Sequence, residues 1–595
     1  MKYRVLKDVF GFESFRPGQE PVIDAVLAGR DALAVMPTGG GKSLCFQVPA
    51  LVRGGLTVVV SPLVALMQDQ VAALRLAGVA ADAIHSLNRR EENVAIWRRV
   101  AAGEIRLLYL APERLMTERM LAALSRLPLS LIAVDEAHCV SQWGPAFRPE
   151  YAALSALRPR FPDVPILALT ATADAVTRED IAARLLAPDA AQFVAGFDRP
   201  NIRLAVEPRK SPRRQLLSFV KARGGQSGIV YCLSRRKVEE TAAMLVGEGI
   251  RALPYHAGMT AEERTANQGI FIAEPGVVIV ATIAFGMGID KPDVRYVFHT
   301  DIPSGIEAYY QEIGRAARDG EPGDACMLYG LDDIRMRRMF IDGEDSGDDH
   351  RRRAHKRLDA LVGYCEAPGC RRVTLLAYFG ERIEPCGNCD TCLDPVELVE
   401  ATGDARLVLS AVVQTGQRFG AAHIIDVLAG TLTEKVLKFG HDRREAFGGG
   451  AHHAKTVWRS IVRQLTAAGH LHLDIAGYGG LQTTESGRAL LRGEGGFRRR
   501  AEAGRREAAK SRPELDSSPL TDGDAALFER LKELRLRLAR ERGLPAYTVF
   551  SDRSLTEMAR KRPQDRVAFA GIHGVGDAKL REFADIFLAE IGVAA

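Results

Sequence analysis

The stretch MPTGGGKS, residues 36–43, constrains this chain more than any other. It follows the apolar run ALAV and precedes LCFQVPALV, which reads as a helix. Glycines between a strand and a helix let successive backbone N–H groups point into one concavity, and the helix N-terminus adds a positive dipole. Such a loop cradles phosphates. Thr38, Gly39, Gly40 and Gly41 form the cradle, Lys42 reaches the terminal phosphates, and Ser43 binds Mg²⁺. Met36 stands where the motif usually has its first glycine. The bland alternative is a Gly-rich turn opening a helix.

An acidic partner decides between the two. In IAVDEAH, residues 132–138, Asp135 ends an apolar run and is expected to hold Mg²⁺. Glu136 is expected to polarise the attacking water, and His138 to couple the site to a neighbouring domain. A lone Asp-Glu pair is a weak signal, but together with Lys42 and Ser43 it specifies nucleotide hydrolysis.

The surrounding pattern is α/β. Apolar runs at 32–37, 57–62, 105–112, 129–136 and 165–172 alternate with helical stretches, and a second set follows at 228–234, 252–258, 276–286 and 294–301. Continuous apolar runs fit parallel strands buried on both faces. Two sets imply two layered domains, joined near residues 197–204. In the second set, EAYYQEIGRAARDG (307–320) places Arg315 and Arg318 three apart, on one helix face, with Gln311 one turn earlier. An arginine from a facing domain can neutralise charge on a γ-phosphate in flight. The alternative is a solvated basic face.

The chain has 595 residues, too many for one core. A 47% hydrophobic and 26% charged composition fits a soluble globular protein. No window of about 20 apolar residues suggests a membrane span, and the first residues lack a secretory pattern. A cytoplasmic protein with no membrane partner is expected. The net charge of +5 is weak evidence for nucleic acid, although FRRRAEAGRREAAKSR (497–512) is strongly basic and reads as a linker. Five of nine cysteines fall between 365 and 392, and clustering of this kind in a long chain favours a metal site. Cys386, Cys389 and Cys392 with one upstream thiolate suit tetrahedral Zn²⁺, with an iron–sulfur cluster as the alternative. Immediately after the acidic box, Trp143, Phe147 and Tyr151 alternate with Arg148 in a loop broken by Gly144, Pro145 and Pro149.

The set FRPGQ, MPTGGGKS, SPLVALMQDQ, YLAPER, DEAHCVSQWG, ALTATA, YHAGM, ATIAFGMGIDKPDVRYVFH and YYQEIGRAARDG, in this order, resembles the bacterial-type RecQ DNA helicases. The resemblance implies two tandem RecA-like parallel-sheet motor domains at 1–200 and 201–333. A zinc-binding helical module (334–400), a winged helix (401–495), a basic linker (496–520) and a small all-helical HRDC-like domain (521–595) are expected to follow. It implies ATP-dependent 3′→5′ unwinding of duplex and branched DNA in recombination and repair. Phe12, Arg16 and Gln19 would recognise adenine, with Phe12 as the stacking ring, and Gln311 would join the nucleotide site. Cys370 is favoured over Cys365 as the fourth zinc ligand.

The aromatic loop then gains a purpose. Stacking on Trp143 and Phe147, with Arg148 on the backbone, would register single-stranded DNA beside Glu136. Pro145 and Ala146 stand where the family has a His-Asp pair. In the last module, GIHGVGDAKLREF offers Lys579 and Arg581 to a DNA phosphate, or a bundle surface to a protein. Expected partners are single-stranded, duplex and branched DNA, with a single-stranded-DNA-binding protein as a further one. An RNA helicase of the DEAD/H class and a non-catalytic DNA-binding scaffold are the competing readings.

Overall fold

The computed structural model describes residues 1–141, 148–173, 175–285, 291–343, 347–395, 397–474, 480–500 and 520–592. In the first motor domain the strands are β1 (Ala32–Val35), β2 (Leu56–Val60), β3 (Ala81–Ile84), β4 (Leu107–Leu110), β5 (Leu129–Val134), β6 (Ile166–Thr170) and β7 (Ala191–Val194). They form one parallel sheet in the order β3-β4-β2-β5-β6-β1-β7. β1, β2, β4 and β6 are buried along their whole length, as their uninterrupted apolar sequences require. Because β6 lies between β5 and β1, the segment after Thr170 is placed between the Gly-rich loop and the acidic box.

The second motor domain contains β8 (Ile202–Pro208), β9 (Gly228–Tyr231), β10 (Ala252–Tyr255), β11 (Val278–Ala281), β12 (Tyr296–His299) and β13 (Gly323–Tyr329). Their order is β10-β11-β9-β12-β13-β8, again parallel. Four strands in the two sheets are not apparent as apolar runs. β3 carries Asp82 at its centre, buried and held by Arg75 and Arg99. β7 alternates between half-buried and exposed residues, as a strand at the sheet's border does. β8 alternates as well, and β13 opens with Gly-Asp.

Beyond the sheets, the helices Asp348–Glu366 and Arg371–Tyr378 lead into the cysteine cluster. A winged helix follows. Its helices Thr402–Gln414, Ala421–Leu428 and Lys455–Ala467 bury Trp458, and β15 (Leu471–Asp474) pairs with β16 (Gly480–Thr483) as the wing. The expected linker does not begin at 496. Arg498–Arg500 forms strand β17, antiparallel to β14 (Leu398–Glu400), so this unit is closed by residues from both its ends. The last module packs helices Asp522–Arg542, Ala546–Val549, Asp552–Lys561, Arg566–Ala570 and Asp577–Gly592 around Leu531, Phe550, Phe569 and Phe587.

Candidate functional site

The Gly-rich loop leaves β1 with Met36 N bonded to Thr170 O at 3.0 Å. Gly39 and Gly41 adopt φ of 82° and 78°, conformations that exclude most side chains, and so the loop can curl over its own carbonyls. Gln19 fixes the curl. Its Nε2 donates to Gly41 O at 2.9 Å, while its Oε1 accepts from Arg16 N at 2.7 Å. Arg16 donates in turn to Gly39 O. Ser43 precedes the helix Leu44–Arg53, whose N-terminus adjoins the loop. Lys42 Nζ lies 3.2 Å from Met36 O, inside a cavity of about 1410 Å³ that Asp135, Glu136, Gln311, Arg315 and Arg318 also line.

Asp135 follows β5 and is buried; its Oδ1 accepts from Glu136 N at 2.9 Å, and its carbonyl accepts from Tyr151 Oη at 3.1 Å. Glu136 has φ 49°, a left-handed backbone that a residue with a Cβ adopts only when its surroundings enforce it. Its carboxylate lies 3.3 Å from His138 Nδ1. Burial lowers the His138 pKa, which keeps the imidazole neutral, and Nδ1 is 2.8 Å from Thr170 Oγ1. Thr170 Oγ1 donates to Thr172 O at 3.1 Å, and Gln311 Nε2 of the second domain donates to Thr172 Oγ1 at 2.6 Å. A polar path thus runs from His138, beside Glu136, into the facing domain.

Four thiolates converge elsewhere. The Sγ atoms of Cys370, Cys386, Cys389 and Cys392 all lie within 4.8 Å of one another, and Cys389 Sγ is 3.9 Å from Cys370 Sγ. Zn–S bonds of about 2.3 Å in a tetrahedron give S···S edges of about 3.8 Å, so these residues fit Zn²⁺. Cys365 is buried apart from this group. The cluster is strapped to β8: Asp390 accepts from Val206 N at 3.0 Å and from Arg371 Nε at 2.9 Å, and Arg372 reaches Asp198 at 2.6 Å.

The comparisons match this layout unit by unit. Residues 16–181 match the model for DEAD/DEAH box helicase, 212–320 the helicase conserved C-terminal domain, 331–393 RecQ zinc-binding, 395–508 the RQC domain and 524–591 the HRDC domain. The chain is 43% identical to the ATP-dependent DNA helicase RecQ of Haemophilus influenzae, over 99% of this chain and 95% of that one. The chain belongs to the RecQ family of ATP-dependent DNA helicases. The RecQ proteins of Pasteurella multocida and Bacillus subtilis are 41% and 36% identical, over 98% and 99% of this chain and 92% and 98% of theirs. Like them, this RecQ-family chain is an ATP-hydrolysing enzyme that acts on DNA and uses ATP, Mg²⁺ and Zn²⁺. Among the described residues, no helix is long and apolar enough to cross a membrane.

The helical spacing expected for Arg315 and Arg318 is not what places them. The helix Ile306–Ile313 stops at Gly314, and Ala317 takes φ 52°, so both arginines lie on the loop after the helix. That loop packs on the phosphate loop: a Cβ on Gly314 would lie 3.2 Å from Thr38 Cβ, and Arg318 Cγ would lie 3.5 Å from a Cβ on Gly39. Gln311 remains on the helix. Phe12 lines the cavity, its ring centroid 5.1 Å from that of His573. Arg148 is anchored by its backbone N to Cys139 O at 3.0 Å and reaches Pro62 O at 3.4 Å, whereas Trp143 and Phe147 lie outside the described residues.

The sequence reading missed Arg199, within FDRP. Its guanidinium donates to Thr38 O at 2.6 Å, Gly314 O at 3.3 Å, Ala316 O at 2.9 Å and Ala317 O at 2.8 Å. Burial pushes its pKa down to about 10, yet it stays charged at neutral pH. One planar fork therefore ties the phosphate loop to the arginine-bearing loop. The Gly-rich turn of the last module lies against the N-terminal segment. Gly574 N donates to Gly11 O at 2.9 Å, and the Lys579 ammonium lies 5.5 Å from the Phe550 ring centroid, its pKa lowered to about 8 by burial.

Proposed function

We propose that this helicase unwinds duplex and branched DNA in the 3′→5′ direction, with residue roles divided across its cleft. Lys42 holds the terminal phosphates of ATP against the N–H groups of residues 38–43. Ser43 and Asp135 hold Mg²⁺, which supplies charge neutralisation at the phosphates. Glu136 accepts a proton from the attacking water. Neutral His138 stands beside the Glu136 carboxylate, held by Thr170. Arg315 and Arg318 stabilise charge on the transferred group from the facing domain, and Arg199 keeps their loop in contact with Thr38. Adenine is recognised by Phe12, Arg16 and Gln19, the latter two also shaping the loop.

The observation that carries this reading is convergence: residues from both motor domains line one cavity around the phosphate loop. Hydrolysis then changes what holds the domains together, and the cleft opens and closes on each cycle. Trp143, Phe147 and Arg148 take single-stranded DNA, and the winged helix takes the duplex through its phosphates and groove. Cys370, Cys386, Cys389 and Cys392 hold a closed, structural Zn²⁺. A single-stranded-DNA-binding protein, whose substrate this reaction generates, is a fitting partner, and recombination and repair in the cytoplasm at the nucleoid are the fitting setting. Strand separation measured on matched 3′-tailed and 5′-tailed duplexes with ATP tests the reading; equal unwinding of both, or none, would overturn it.

A further inference from the structure

The C-terminal helical module lies against both motor domains. Its turn at 571–576 packs on the N-terminal segment at 9–12 so closely that neither side admits a side chain. A Cβ on Gly11 would overlap Val575 N, and one on Gly576 would overlap Val9 O. The hydrogen bond from Gly574 N to Gly11 O lies between these two contacts. Nearby, Leu76 packs on the module's core, and Ala578 Cβ would stand 3.4 Å from a Cβ on Gly78. On the other side, Arg540 lies 3.8 Å from Glu274 of the second motor domain.

This contact borders the nucleotide cavity, which Gly11, Phe12 and Val575 line. Arg553, Arg560 and His573 of the module line the same space as Phe12, Arg16 and Lys42. His573 lies over Phe12, the ring at the adenine end. Burial, and then the Arg553 charge, lowers the His573 pKa to about 4, so a neutral ring faces Phe12. Burial also lowers the Arg16 pKa, with Arg553 adding to the effect, which places two guanidiniums in one confined space. Their repulsion is relieved by an anion between or beside them.

We propose that this module is the outer wall of the ATP site and gates nucleotide exchange: docked, it retains the nucleotide, and it lifts for the nucleotide to enter or leave. The proposal rests on the reading that the cavity holds ATP. A bound nucleotide brings negative charge to the space that Arg16 and Arg553 line, so it favours docking. By linkage, docking favours nucleotide by the same factor. The two glycines act as the latch, because they allow backbone-to-backbone contact.

Release of a fluorescent ADP analogue from the full-length protein, followed by stopped flow, tests this. Gly576→Val and Gly11→Ala block the same contact from opposite sides, and Gly11 lies in the motor domain, so a misfolded module cannot explain a shared effect. Each variant is expected to release the analogue at least about tenfold faster than wild type. Because both break one contact, the double variant is expected to be no faster than either single. Release within twofold of wild type in both single variants would overturn the gate. Additive acceleration in the double variant would overturn the shared latch. Failure of the wild-type protein to bind the analogue would overturn the nucleotide site itself, and the gate with it.

Discussion

Gln311 Nε2 donates to Thr172 Oγ1 across 2.6 Å, and this bond joins the two motor domains. Thr172 leads back through Thr170 and His138 to Glu136. The link is a hydrogen bond worth about 1 kcal/mol, so it can report domain closure without locking the cleft. Gln311→Ala is expected to lower the DNA-stimulated kcat for ATP about tenfold while the KM for ATP changes less than threefold. Steady-state ATPase at saturating DNA measures both, and a rise in KM with kcat preserved would show that Gln311 serves binding alone.

Lys42 makes a simpler case. Its ammonium lies in the Gly-rich loop, 3.2 Å from Met36 O. Lys42→Ala is expected to reduce ATP hydrolysis by at least about 100-fold, because charge stabilisation of the transferring group is lost. Unwinding should vanish, and the affinity for a single-stranded oligonucleotide, read by fluorescence anisotropy, should stay within about threefold.

How much of this could be read from sequence depends on whether a function resides in contiguous residues. The candidate phosphate loop, the acidic box and the cysteine cluster are each local runs of residues, and the four converging thiols follow from such a run. Arg199 was not, because an arginine at a domain join looks like any surface arginine until four carbonyls from two domains close around it. Arg315 and Arg318 were identified with the wrong local geometry: spacing of three suggested a helix, but Ala317 at φ 52° ends that possibility. Asp82 concealed β3, since a buried charge in a strand becomes acceptable only with Arg75 and Arg99 in place. The Gly-rich turn at 571–576 reads equally as a phosphate turn or as a protein-contact surface. Only the folded structure shows that a Cβ on Gly576 would overlap Val9 O while Gly574 N donates to Gly11 O.

The zinc cluster should matter to the motor as well as to its own module. Asp390 bonds Val206 N, and Asn388 bonds Pro200 O at 3.1 Å, so the cluster braces β8, the border strand of the second sheet. Metal binding is folding free energy for such a module. Cys386→Ser is expected to lose zinc and much of the soluble yield. The recovered fraction should show faster proteolysis within 198–208. Unchanged zinc by elemental analysis, or iron in the wild type, would contradict the assignment.

A buried histidine pair predicts acid sensitivity in the winged helix. His423 Nε2 is 2.7 Å from His441 Nδ1, and burial, then the His441 and Lys435 charges, push the His423 pKa down to about 4. An unfolded histidine titrates near 6.5. As pH falls from about 6.5 towards 4, the unfolded state gains a proton that the folded state refuses, and so stability declines through that window. Hydrogen exchange of Ala421–Leu428, corrected for intrinsic rates, should show protection falling between pH 7 and pH 5 in wild type. His423→Gln should flatten that slope; an equal slope in the variant would assign the effect to other groups.

Trp143 lies outside the described residues, but both ends of its loop are fixed beside the chemistry. Arg148 N bonds Cys139 O at 3.0 Å, and Tyr151 Oη bonds Asp135 O at 3.1 Å, so movement where the loop begins or ends bears directly on Asp135 and Glu136. Trp143→Ala is therefore expected to damage coupling: DNA-stimulated ATPase should fall much more than DNA-free ATPase, and unwinding should fall with it. Lost stacking alone weakens DNA binding by roughly 1–3 kcal/mol, a deficit that saturating DNA overcomes. A coupling defect persists at saturation. ATPase titrated with single-stranded DNA separates the two. A maximal rate that recovers fully, with only the half-saturation point displaced, would make Trp143 a contact and not a switch. A curve identical to wild type would make its ring a packing element of the loop.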